Sequence, residues 1–237
     1  MLLTPHYIRR LLRFLPPLSF GVMLVLLGNG IYQALWVSPP DYQQGEAVRM
    51  MYVHVPSAWL ALGIYMAMAA CAASYVIWRF PLAEVTVRAL APIGATFAAI
   101  TLLTGALWGK PIWGTWWVWD PRLTSMFVLF CQYIACLLFG NSREGVSERL
   151  CIWILLGAIN IPIIKFSVEF WHSLHQPASI LRAGGMAIAP EMLRPLFYMA
   201  LASVFYTLTI AAMRIRTEQL RRKVRRKQWI IGQERTK

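Results

Sequence analysis

Six apolar stretches, at residues 18–36, 55–78, 89–108, 123–139, 150–164 and 196–213, each approach the length needed to cross a bilayer. A helix of ~20 residues spans the ~30 Å hydrocarbon layer. Backbone N–H and C=O groups in that layer are satisfied only inside helices or closed barrels, so this pattern predicts an all-α integral membrane bundle of six transmembrane helices. Composition agrees, because a 237-residue chain that is 58% hydrophobic and 14% charged has too few polar groups to coat a water-soluble globule. The fifth stretch is the shortest. Carrying it through Lys165 toward Trp171 requires the lysine stem to snorkel or to face protein. Pro56, Pro92 and Pro162 fall within stretches and predict kinks, not boundaries, with neighbouring helices satisfying the freed carbonyls.

The first stretch follows Arg9, Arg10 and Arg13, but it is longer than a secretory signal core and no small-residue cleavage pattern follows, so it reads as a retained anchor. An even number of spans puts both termini on one side. That side carries 17 of the 23 Lys and Arg residues and the opposite side the other 6. The asymmetry predicts cytoplasmic termini, with the loop 109–124 on the outer side. The chain then divides into a membrane domain, 1–213, and a basic cytoplasmic tail, 214–237. A net charge of +13 and the run Arg221-Arg222-Lys223-Val224-Arg225-Arg226-Lys227 fit a juxtamembrane segment drawn to anionic headgroups by about 1 kcal/mol per residue, and do not require nucleic acid. A docking handle for a cytoplasmic partner is the alternative for the tail.

Cys71, Cys131, Cys136 and Cys151 all lie within apolar stretches, and the sequence contains no Cys-x-x-Cys. They read as packing residues, which excludes a c-type haem attachment site, a zinc ribbon and a dithiol oxidoreductase. With no Gly-rich phosphate loop and no Gly-x-Ser-x-Gly elbow, any energy from ATP would come from another subunit.

The chemistry concentrates in Trp113-Gly114-Thr115-Trp116-Trp117-Val118-Trp119-Asp120-Pro121-Arg122-Leu123-Thr124. Interfacial tryptophans are usually scattered along helix ends, as with Trp36, Trp59, Trp78 and Trp108, which read as belt residues. Trp113, Trp116, Trp117 and Trp119 together instead suggest a surface built for a planar aromatic ligand. His6 belongs to the N-terminal tail. His54 stands at the outer mouth of the second stretch, and His172 and His175 just outside the fifth. Imidazoles from two different loops can clamp a haem iron from both faces while indoles cover the porphyrin and Arg groups pair with its propionates. Transmembrane electron carriers would hold such ligands deep in their spans, so a single haem at the outer surface fits loading and handing over better. A membrane b-type haem or quinone oxidoreductase, and a structural subunit anchoring a transporter, are the alternatives. Asp120 and Arg122 would contact haem or a partner, pair with each other, or cap the fourth span. Arg182 would reach a propionate or a lipid phosphate.

These residues resemble the tryptophan-rich WWD signature, W-G-x-W-W-x-W-D-x-R-L-T, of haem-handling membrane proteins in cytochrome c biogenesis. Further matches are Asp41-Tyr42-Gln43-Gln44-Gly45, Val53-His54-Val55-Pro56, Trp108-Gly109-Lys110-Pro111, Ser167-Val168-Glu169 and Leu174-His175-Gln176-Pro177. Over nearly its whole length the chain resembles the cytochrome c maturation protein C family, whereas relatives of the maturation protein F type have many more spans. The resemblance implies a protein of the bacterial inner membrane that holds haem b non-covalently at the periplasmic face. It implies transfer of that haem to a periplasmic chaperone, maturation protein E. Its other implied partners are the ATP-binding cassette pair, maturation proteins A and B, and a small membrane protein, maturation protein D. His54 and His175 match the axial pair. Trp113, Trp116, Trp117, Trp119, Asp120 and Arg122 match the haem and chaperone platform. His172, three residues before His175, would share its face on a helical turn and is the alternative ligand. The resemblance implies an assembly factor and not an enzyme, since the covalent step joins a haem vinyl group to a histidine of the chaperone.

Overall fold

The computed structural model describes residues 6–139, 148–171, 173–175, 185 and 188–235. They form α1 (His6–Tyr32), α2 (Met51–Trp78), α3 (Pro81–Trp113), α4 (Pro121–Phe139), α5 (Glu148–Gly157), α6 (Asn160–Phe170) and α7 (Pro190–Arg235). A π-helical turn, Gln33–Val37, ends α1, and a 3-10 turn, Glu46–Met50, leads into α2. Among the described residues there is no strand, only an isolated bridge between Asp41 and Gly45. Six helical segments are long and apolar enough to cross a membrane: Arg10–Val37, Glu46–Trp78, Leu82–Trp113, Pro121–Phe139, Glu148–Phe170 and Pro190–Arg225. The expected all-α, six-span architecture is therefore the one observed.

Lipid tails are as apolar as leucine, so association within such a bundle depends on close van der Waals fit and on small residues that let helices approach. The sequence supplies both. Ala61, Ala69 and Ala72 of α2 and Ala91, Ala95 and Ala98 of α3 are buried at helical spacing where these helices pack together. Around them Tyr65, Met68, Leu129, Tyr133 and Ile154 fill the centre. The Tyr133 hydroxyl donates to the Ala61 carbonyl at 2.7 Å, so a polar atom crosses the core with its partner in place. On the other flank α1 packs along α7, joined by a 2.7 Å hydrogen bond between Ser19 and Thr209.

The fifth span is two helices, which corrects the expectation of a kink at Pro162. The chain turns at Ala158 and Ile159, and Pro162 lies in the first turn of α6, where a missing N–H leaves no helical bond unmade. The break needs no water. Ala158 N–H donates to Ile154 and Leu155 carbonyls, Ile159 N–H to Leu156 at 3.2 Å and Ile161 N–H to Ala158 at 3.1 Å. Asn160, buried, donates to the Ser125 carbonyl of α4 at 2.8 Å and pins α6 to it. Pro56, Pro92 and Pro111 lie inside unbroken helices.

The two ends of the bundle differ in chemistry. At one end Glu84 of α3 meets Arg222 of α7 at 2.6 Å, with Arg88 at 3.7 Å from both Glu84 and Glu218. Arg79 and Glu148 join the ends of α2 and α5 at 2.9 Å. The other end gathers the starts of α2, α4 and α7 with the ends of α3 and α6, and it carries His54, the tryptophan loop and His175.

A Cβ built on Gly94 would lie 2.2 Å from the Tyr133 ring, and the Tyr133 hydroxyl is anchored. Gly94→Ala should therefore destabilise the bundle by about 1 to 3 kcal/mol, as overpacking of a filled core does. Thermal unfolding in detergent checks this, and an unchanged midpoint would show that α3 and α4 are less closely fitted than described.

Candidate functional site

His54 sits one turn into α2 and faces the last third of α3. Thr104 holds it there. The Thr104 hydroxyl donates its one proton to the Ile100 carbonyl at 2.6 Å, so the imidazole Nδ1–H donates to Thr104 Oγ1, at 3.0 Å. Gly105 keeps the approach open, since a Cβ there would come within 3.1 Å of His54 Cε1. Trp108, one turn on, meets the imidazole edge-on, with centroids 5.6 Å apart and planes at 76°. The Trp108 indole N–H donates to Gln44 at 2.9 Å, and Gln44 is presented by a turn in which Asp41 accepts the Gln43 and Gln44 N–H groups at 2.9 and 2.8 Å. Trp108 therefore supports His54 and is not the lipid-facing belt residue that its position suggests. Trp36 and Trp78 are exposed, as belt residues would be.

α3 ends at Gly114, whose φ of 76° is a left-handed turn natural to glycine, and the chain crosses to α4 through the tryptophan loop. Pro121 opens α4 and Asp120 caps it: Asp120 Oδ1 accepts the N–H of Arg122 and of Leu123, each at 2.9 Å. The second oxygen, Oδ2, turns toward the chain beyond α6. It accepts the Ser173 hydroxyl in a short hydrogen bond and the Leu174 N–H at 3.2 Å. The imidazole of His175 directs Nδ1–H at the same carboxylate, 3.4 Å from Oδ1 and 3.5 Å from Oδ2. Trp113 closes on the His175 ring edge-to-face at 5.1 Å.

Asp120 is only 5% exposed. Burial by itself would raise its pKa, but the Ser173 and Leu123 hydrogen bonds and the neighbouring His175 hold it below the ordinary carboxylate value. Burial lowers the His175 pKa, opposed by Asp120 and reinforced by Arg122. Both histidines turn Nδ1 to an oxygen acceptor, the arrangement that leaves Nε2 for a metal. They come from different elements at the same end of the bundle. Among the described residues no three His, Cys, Asp or Glu side chains form a group that could hold a metal ion by themselves.

The four tryptophans of the loop have distinct settings. Trp113 covers His175, and Trp117 is wedged edge-to-face against Trp119 and Phe127 at 5.5 and 6.1 Å. Trp116 and Trp119 are 55% and 75% exposed, and Lys110 Nζ lies 5.7 Å above the Trp116 ring. Arg122 reaches across to α6, with Nε 3.3 Å from Ser167 Oγ and Nη2 3.4 Å from the Lys165 carbonyl. His172 and Arg182 lie outside the described residues. Sequence reasoning missed Thr104 and Ser173, and it gave Gln44, within a matched segment, no role. Thr104 carried a usable signal, falling one helical turn before Trp108 on α3, but nothing local marks it as a histidine partner.

Fold and site together define a six-span helical membrane protein with paired, pre-oriented imidazoles at one end of the bundle. The Heme exporter protein C family matches residues 1–230. The chain is 46% identical to Heme exporter protein C of Bradyrhizobium diazoefficiens over 218 residues, 90% of this chain and 81% of that one. It is 39% identical to Heme exporter protein C of Escherichia coli over 206 residues, 86% of this chain and 82% of that one. A cytochrome c biosynthesis ccmC-like mitochondrial protein from Marchantia polymorpha is 47% identical over 186 residues, 78% of this chain and 79% of that one. The chain belongs to the Heme exporter protein C family.

Removing the Asp120 carboxylate should release both the α4 cap and the His175 loop. Asp120→Ala should cost about 1 kcal/mol for the cap alone and speed amide exchange at Leu174 and His175, with a smaller effect in Asp120→Asn. Because its pKa is depressed in the fold, the carboxylate stabilises the protein above its unfolded pKa. That contribution is lost as pH falls through the folded value. Protection of these amides, relative to their intrinsic exchange at each pH, should thus be flat near neutrality and fall only in strong acid; a loss centred near pH 6 would assign the switch to another group.

Proposed function

We propose that this protein binds haem b non-covalently at the periplasmic face of the bacterial inner membrane and delivers it to the periplasmic haem chaperone, maturation protein E, in c-type cytochrome biogenesis. The observation that carries this reading is that His54 and His175 stand on separate elements at the same end of the bundle, each with Nδ1 turned to an oxygen acceptor, the arrangement that leaves Nε2 for a metal. A porphyrin supplies four nitrogen ligands to its iron, so two axial imidazoles complete the coordination. Trp108 and Trp113 flank the two histidines, and Arg122 stands close to Asp120 at the start of α4, where a guanidinium suits a propionate.

In this reading the chain is an assembly factor. Its residues orient the cargo, and the covalent bond forms between a haem vinyl group and a chaperone histidine. The exposed Trp116 and Trp119 and the charge of Lys110 provide the surface the chaperone meets, as exposed aromatic anchors do at other interfaces. The ATP-binding cassette pair, maturation proteins A and B, and the small maturation protein D are its partners in the complex. The 17 to 6 division of basic residues supports cytoplasmic termini and a periplasmic tryptophan loop.

His54→Ala and His175→Ala should each lose most co-purifying haem and shift the Soret band, whereas Trp119→Ala should keep haem and capture little chaperone. Stacking on one ring is worth roughly 1 to 3 kcal/mol by analogy with base stacking, less than an iron ligand. Full haem retention in both histidine variants would end this reading. For orientation, a cysteine at Thr115 should react with an impermeant reagent from the periplasm, and a reporter fused after Lys237 should be active only in the cytoplasm. The reverse labelling would remove the periplasmic platform.

A further inference from the structure

The two histidines are not held alike. His175 Nδ1 lies 3.4 and 3.5 Å from the two oxygens of Asp120 and 3.4 Å from the Ser173 hydroxyl, and that carboxylate is braced in turn by the Ser173 hydroxyl and Leu174 N–H. The proton of His54 Nδ1 faces Thr104 Oγ1, a neutral oxygen whose own proton is committed to Ile100. We propose that Thr104 is the positioning residue that presents His54 Nε2 to the haem iron, and that His54, backed only by a neutral acceptor, is the weaker, exchangeable ligand opposite a His175 backed by a carboxylate. The assignment rests on the haem-holding reading above and adds which of the two ligands yields.

Donor strength separates the two. A carboxylate accepting the Nδ1 proton draws it away from the ring and leaves Nε2 more electron-rich, whereas a neutral hydroxyl does so less. Thr104 still performs an orienting task. Without an acceptor at that point the ring can turn, or carry its proton on Nε2, and either change removes the lone pair from the site. The surroundings serve the same end: Gly105 gives space on the α3 side, and Trp108, tied to Gln44, limits rotation on the other. A handover requires one axial position to open while the other keeps hold. The geometry assigns the opening to the side of α2 and α3, and the retained bond to the loop beyond α6.

The test uses the full-length protein purified with haem, reduced and exposed to carbon monoxide, which takes one axial position and whose C–O stretch reports the ligand opposite. In the wild type the stretch should reflect His175, shifting in Asp120→Asn and staying put in Thr104→Val. Thr104→Val should also bind carbon monoxide about tenfold more tightly, the low end of the effect of losing an outer-shell partner, and Thr104→Ser should restore the wild-type value. Equal carbon monoxide affinity in wild type and Thr104→Val would overturn the role of Thr104. A stretch that moves in Thr104→Val and not in Asp120→Asn would show that His175 is the ligand that yields. If Thr104→Val does not fold, Thr104→Ala substitutes for it, and the Asp120→Asn stretch tests the asymmetry with Thr104 intact. Failure of the haem-holding reading looks different: the wild type would carry no haem, or His54→Ala and His175→Ala would both leave its spectrum unaltered.

Discussion

One carboxylate organises the His175 side of the candidate site. Asp120 divides its two oxygens between the first turn of α4 and the segment that carries His175. A helix N-terminus has unpaired N–H groups that need an acceptor, and a loop leaving a membrane helix has few fixed contacts of its own. Buried beneath the loop, the one side chain meets both needs, so the position of His175 inherits the rigidity of α4. Its negative charge is stabilised by the donors it collects, and almost no exposed surface is left for a partner to read. The tryptophans on either side are free to do that.

The opposite histidine is fixed by different means. His54 is part of α2 itself, so its backbone is placed by the packing of α2 on α3 through their small buried residues, and only its ring needs a partner. Thr104 and Trp108 come from consecutive turns of α3 and supply one. In the core, Tyr133 of α4 packs on Gly94 of α3 and bonds the Ala61 carbonyl of α2, tying the three helices together. The break between α5 and α6 aims the sixth helix so that Ser167 meets Arg122, bringing the chain that follows it to Asp120.

How much of this is legible in the sequence depends on the range of the interaction. Six apolar stretches are a one-dimensional signal, and six membrane-length helical segments follow from them. The tryptophan loop and the surface histidines are equally visible because their unusual composition is local. Asp120 is recognisable as a cap, since Asp-Pro before an apolar run is a helix start, but its second role needs residue 173, which no spacing rule connects to residue 120. Trp108 misleads a sequence reading because an indole at a span end is ordinarily a belt residue, and only the fold shows Gln44 beside it. Pro162 misleads it too, because a proline looks the same within a helix and in its first turn until the chain around Asn160 is seen.

Two imidazoles meeting at one iron are the centre of the proposed function. Electron paramagnetic resonance of the oxidised, haem-loaded protein tests that most directly. It should give a low-spin spectrum with two imidazole nitrogens on the axial positions, and nitrogen couplings from both should disappear in the His54→Ala, His175→Ala double variant. A high-spin signal in the wild type, or a low-spin signal that survives the double substitution, would contradict it.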